Sequence, residues 1–171
     1  MTCAFENDYD IGYLQRLPER LVLEGYRHWA AGYATGSIQP WECARINFEH
    51  LLGPKSARLV VAELAQWVRA ICMYRPSGVE FFPSGCEHIC RDECLALAMI
   101  AAAQHGDEQT CHSAAQWMTG SHGVLFAMEA ARDFAASLKA LNQILLPVPY
   151  HAIAEIQSRN GPANASTARL H

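Results

Sequence analysis

Apolar residues return every three or four positions through most of the chain, and proline or glycine stands at the joints between these runs. A helix that buries one face produces that spacing, and an alternating strand does not. Pro18 suits a first helical position, and Leu21, Gly25, His28, Trp29 and Gly32 share one face before Gly36 stops the run. The small Gly25 and Gly32 let a neighbouring helix come close. Pro40 opens a second helix with Trp41, Ala44, Phe48, Leu51 and Leu52 inward and Gly53 as its stop. Pro54 opens a third, striped by Val60, Leu64, Trp67, Val68 and Ile71, running to about Tyr74.

Pro76-Ser77-Gly78 then breaks the chain, and Phe81-Phe82-Pro83 reads as an apolar turn packed under the bundle. Ser84 and Glu87 have the spacing of a capping box, so a fourth helix is expected from near Gly85 to His105-Gly106. Asp107 caps a fifth helix over 108–118, closed by Thr119-Gly120, and the two form a tight hairpin. Ser121 caps a sixth, whose stripe is Val124, Met128, Ala131, Phe134, Leu138, Leu141 and Leu145. Pro147 and Pro149 end it, and a short helix over 150–158 follows. Hairpin turns and sustained alternation are nearly absent. The expected fold is therefore all-α: a compact single-domain bundle of about six or seven helices with short loops. It covers residues 1–160, and 161–171 form a flexible tail.

Composition narrows the function classes. The chain has 171 residues, 51% of them apolar and 18% charged, which suits one folded, soluble domain. Its net charge of −4 argues against a nucleic-acid partner. The longest apolar run, Leu95–Ala103, is too short to span a membrane. The first residues carry no basic start and no apolar leader core. Seven cysteines, an odd number, then point to a reducing, cytoplasmic setting with free thiols or a metal.

The densest cluster of chemically competent residues is Gly85-Cys86-Glu87-His88-Ile89-Cys90-Arg91-Asp92-Glu93-Cys94. Thiolate and imidazole are the ligands zinc prefers. On a helix, Cys86 and Cys90 are offset by about 40° around the axis, so adjacent pairs can share an ion. Cys111 and His112 are excluded as further ligands, because an antiparallel hairpin separates them from Cys94 by roughly 12 Å. A hairpin of the third and fourth helices instead brings Cys72 level with Cys86 and Cys90. The expected metal set is Cys72, Cys86 and Cys90, completed by His88 or Cys94, around a single zinc or iron ion. Simple packing of small buried thiols explains the same residues without metal. A redox role is the other alternative: a helix N-terminus stabilises the Cys86 thiolate, and Glu87 opposes that effect.

No phosphate-binding loop, dinucleotide fingerprint, zinc-protease helix or nucleophile elbow is present. Glu24 with His28, and His88 with Asp92, read as local pairs on a helix surface. An enzyme built around His28, Glu24 and the 86–94 turn requires a deep pocket with converging polar groups. Trp29, Trp41, Trp67 and Trp117 read as core aromatics. The stripe of the sixth helix suits either the chain's own core or a second copy, hence a homodimer. These features favour a non-enzymatic interaction or regulatory protein that binds a protein partner or itself. That reading expects an exposed apolar patch and no buried polar cluster. The alternative is a metal-binding or thiol-redox protein built on Cys86, Cys90 and Cys94.

Overall fold

The computed structural model describes residues 9–167, with side chains described from Gly12 to Ser158. The described residues form seven helices and no strand: α1 (Tyr9–Gln15), α2 (Leu17–Thr35), α3 (Gln39–Leu52), α4 (Pro54–Met73), α5 (Arg91–His105), α6 (Glu108–Ala140) and α7 (Tyr150–Thr167). The all-α bundle read from the periodicity is the observed fold.

α5 is the central rod. Every residue from Leu95 to Ala102 is buried, so the helix has no solvent face over two turns. α6 packs along it, α4 packs on α6, and α2 and α3 close the other side. Trp67 of α4 stacks on Phe134 of α6 at 5.5 Å and directs its indole N–H at the Met99 sulfur of α5, 3.3 Å away. α2 and α3 touch where the glycines predicted close approach. A Cβ on Gly32 would lie 2.1 Å from Trp41 Nε1, and that nitrogen donates to the Trp29 carbonyl at 3.1 Å.

Several element boundaries differ from the sequence reading. α1 precedes the expected first helix. The fourth helix begins at Arg91 and not near Gly85, because its N-cap is Cys90 and its box partner is Glu93, whose Oε2 accepts from Cys90 N at 2.8 Å. Ser84 is engaged elsewhere, donating to Glu24 Oε2 at 2.6 Å. The break expected at Thr119-Gly120 is present: α6 consists of two helical stretches that meet at a kink, where Gly120 sits at φ 71°, ψ 179°. The sixth-helix stripe is buried from Val124 to Leu138 inside this molecule, so it is not free to pair with a second copy. Helical geometry ends at Ala140, and Leu145 enters the core from a non-helical segment instead. α7 reaches Thr167; the tail expected over 161–171 lies beyond the residues whose side chains are described.

That irregular segment, residues 141–149, forms an arm between α6 and α7. Its backbone is gripped by side chains of other elements. Gln104 Oε1 accepts from Leu145 N and Gln104 Nε2 donates to the Gln143 carbonyl, both at 2.8 Å. His105 Nε2 donates to the Leu145 carbonyl at 2.7 Å, and Glu19 Oε1 accepts from Leu146 N at 2.8 Å. Among the described residues no helix is long and apolar enough to cross a membrane.

Candidate functional site

The expected metal ligands are spread over two helices and the loop between them. Cys86 and His88 lie in the loop between α4 and α5, Cys90 caps α5, Cys94 lies in its first turn, and Cys72 ends α4. The helical spacing assumed for Cys86, Cys90 and Cys94 does not exist, because α5 starts after Cys90. The hairpin assumed for Cys72 is also missing, since α4 and α5 each pack chiefly on α6. Among the described residues, no three His, Cys, Asp or Glu side chains come together as a metal site needs. Cys90 Sγ donates to the Glu80 carbonyl at 3.4 Å. Burial pushes the Cys72 thiol up to about 11 and holds Cys90 higher still, so both are protonated at neutral pH.

The same loop carries a feature the interaction reading did not expect, a buried ionic cluster. Arg27, 1% exposed, projects from α2 and uses all five of its N–H hydrogens. Nε donates to Glu93 Oε1 at 2.7 Å, and Nη2 to Glu93 Oε2 at 3.3 Å and the His88 carbonyl at 2.6 Å. Nη1 donates to the Cys86 carbonyl at 2.8 Å and Glu24 Oε1 at 3.0 Å. Burial works against the guanidinium charge, but the hydrogen bond and charge of Glu93 outweigh it, and its pKa stays above the ordinary value. Glu93 Oε1 also accepts from Phe82 N at 2.8 Å. Beside it, Asp92 accepts from Glu80 N at 2.8 Å, and Arg75 Nη1 lies 2.9 Å from Asp92 Oδ2 without the alignment of a hydrogen bond. Tyr26 Oη donates to the Glu80 carbonyl at 3.2 Å. These charges are directed at one another and at loop backbone. The cluster fastens the loop and offers no acid or base to a substrate.

An open cleft of ≈ 380 Å³ borders this cluster, between α2, α3 and the loop, lined by Arg20, Glu24, Arg27, Asn47, Cys86 and Glu87 among others. Glu24 and His28 do not bond side chain to side chain. His28 Nδ1 is 2.7 Å from the Glu24 carbonyl, which can only accept, so Nδ1 carries the proton. The Glu24 carboxylate already accepts from Arg27, Ser84 and Gly85. Glu24 and His28 together line a smaller cleft of ≈ 220 Å³ between α2 and α3, with Arg20, Asn47 and His50.

A different surface has unused capacity. A groove of ≈ 350 Å³ runs between α4 and α6, lined by Ala70, Met73, Tyr74, Phe126 and Ala130, with Glu63, Glu129 and Asp133 on its rim beside Arg69. Met73 is 63% exposed and Phe126 57%. Tyr74 stacks on Phe126 at 5.5 Å and is seated against Gly123, where a Cβ would meet its ring at 2.4 Å. Glu63, Glu129 and Asp133 form no ion pair among the described residues. Partial burial, and then the charge of Asp133, raise the Glu63 pKa. The sequence reading missed this groove because it followed the buried stripes. The available signal was Phe126 and Met73 lying off those stripes, with acidic residues at helical spacing around them.

Comparison of the chain with protein-family models, with curated proteins and with solved structures finds no match in any of the three.

Proposed function

We propose that the chain is a non-enzymatic interaction protein whose α4–α6 groove receives an amphipathic helix, apolar on one face and edged with Lys or Arg, from a partner protein. The observation that carries this reading is the pairing of large exposed apolar side chains, Met73 and Phe126, with three unpaired carboxylates on the same rim. Fully burying a side chain such as Met or Phe contributes about 1.5–3 kcal/mol. The acidic rim selects against acidic partners and steers basic ones. A second copy of this chain is a poor occupant here. A two-fold interface would set Glu63, Glu129 and Asp133 against their own equivalents.

The test uses two designed helical peptides with the same leucine face, one edged with lysine and one with glutamate, titrated into the full chain by NMR. The lysine peptide is expected to shift resonances of Met73, Tyr74 and Phe126, and to weaken with added salt. The glutamate peptide is expected to bind roughly tenfold more weakly or not at all. Phe126→Asp, an exposed change, should abolish the shifts while leaving the circular dichroism spectrum unchanged. Equal binding of both peptides, no binding, or shifts centred elsewhere would overturn the reading.

A further inference from the structure

We propose that the arm exchanges between two copies of the chain, giving a dimer in which residues 143–158 of each copy lie on α2, α5 and α6 of the other. This inference does not depend on the α4–α6 groove.

The arm is held from the body of the molecule. Its polar anchors are side chains on the body of the molecule, and they read arm backbone. Gln104 holds Leu145 N and the Gln143 carbonyl, His105 holds the Leu145 carbonyl, and Glu19 holds Leu146 N. Arg16 Nη2 adds a longer contact of 3.4 Å to the Ile144 carbonyl. The apolar anchors are Leu145, Ile153 and Ile156, exposed by 1%, 0% and 7%. Gln104 and Glu19 are themselves buried; with the arm site empty Glu19 keeps Arg16 and Gln104 Nε2 keeps the Ala135 carbonyl, but Gln104 Oε1 loses its partner. An arm of identical sequence from a second copy satisfies every one of these groups, and no other occupant is guaranteed to do so.

The hinge supplies the second part. α6 ends at Ala140, and the chain turns into the arm over Leu141-Asn142-Gln143. Asn142 has φ 58°, the positive-φ position among the described residues not occupied by glycine. The turn is closed by Asn142 N on the Lys139 carbonyl and Gln143 N on the Leu138 carbonyl, both at 2.9 Å. A short hinge in a left-handed conformation is the kind that favours exchange, because opening it lets the residue return to negative φ. Every contact of the arm is remade in the exchanged dimer, so the hinge conformation and the concentration of chains set the balance.

The test compares the wild-type chain with Asn142→Gly, which accepts positive φ freely, and Asn142→Pro, which fixes φ near −65° and cannot make the closed turn. Light scattering after size-exclusion chromatography is expected to show a dimer for wild type loaded at about 1 mM. The dimer fraction should fall in the glycine variant and rise roughly threefold in the proline variant. In a mixture of isotope-labelled and unlabelled wild-type chains, refolded together, filtered NOEs are expected between Leu145 methyl groups of one chain and Gln104 of the other. That measurement stands alone if the proline variant does not fold. Wild-type chains that stay monomeric at this concentration would overturn the inference. So would a dimer whose cross-chain NOEs omit Leu145 and Gln104.

Discussion

Arg27 shows what one buried side chain can organise. Its five hydrogens reach α2, α5 and two loop carbonyls at once. Glu93 answers it while also accepting from Phe82 N and Cys90 N. Removing one partner of a buried pair leaves the other charge uncompensated, which costs about 3–5 kcal/mol. Glu93→Gln is therefore expected to lower the urea midpoint by an amount corresponding to a loss near the bottom of that range, since the amide keeps one acceptor. A midpoint within error of wild type would show that the pair contributes nothing net. The pair was invisible to sequence spacing. Arg27 stands 66 residues from Glu93, and an arginine on an otherwise apolar helix face reads locally as solvated. Gly25 and Gly32 were legible because the signal is intrinsic: a missing Cβ on an apolar face marks close approach whatever the partner is.

At the scale of elements, starts and stops decided how much could be read. Proline-led α3 and α4 begin within a residue of where the sequence places them, because proline at a first helical position acts locally. α5 did not, because two S/C-x-x-E patterns compete within a few residues. Ser84-x-x-Glu87 lost its cap when Glu24 took the serine hydroxyl, and Cys90-x-x-Glu93 formed the box. All the sulfur geometry expected for the 86–94 stretch followed from that one misplaced start. The Gly120 break was legible, and the helix kinks at that glycine. Its φ 71°, ψ 179° lies in a region essentially reserved for glycine, where another residue stores about 1–3 kcal/mol of strain. Gly120→Ala is expected to lower thermal stability by that order, measured by calorimetry, with helix content nearly unchanged. A variant as stable as wild type would mean the break relaxes without strain.

The buried thiols act on the molecule as a whole. Burial raises Cys72 and Cys111 to about 11 from an ordinary value of 9.0, and Cys90 beyond that. Above pH 9 an unfolded chain releases these protons and the folded chain keeps them. Their contribution to stability is thus full at neutral pH and is lost as pH climbs from about 9 through about 11. Urea midpoints should decline across that window, and Cys111→Ala should flatten the decline. A wild-type midpoint independent of pH there would refute the assignment. The connection between α4 and α5, residues 74–90, is the longest stretch without regular structure among the described residues. Connections of that length are where proteases ordinarily enter. Arg27, Asp92 and Glu93 hold its backbone from beneath, so the Phe81–Phe82 bond should withstand brief chymotrypsin treatment of the native chain. Arg27→Met should expose that bond to cutting well before the helices are attacked. The guanidinium thus serves as a guard on the chain's longest irregular connection, and its loss would shorten the survival of the folded molecule wherever proteases are present.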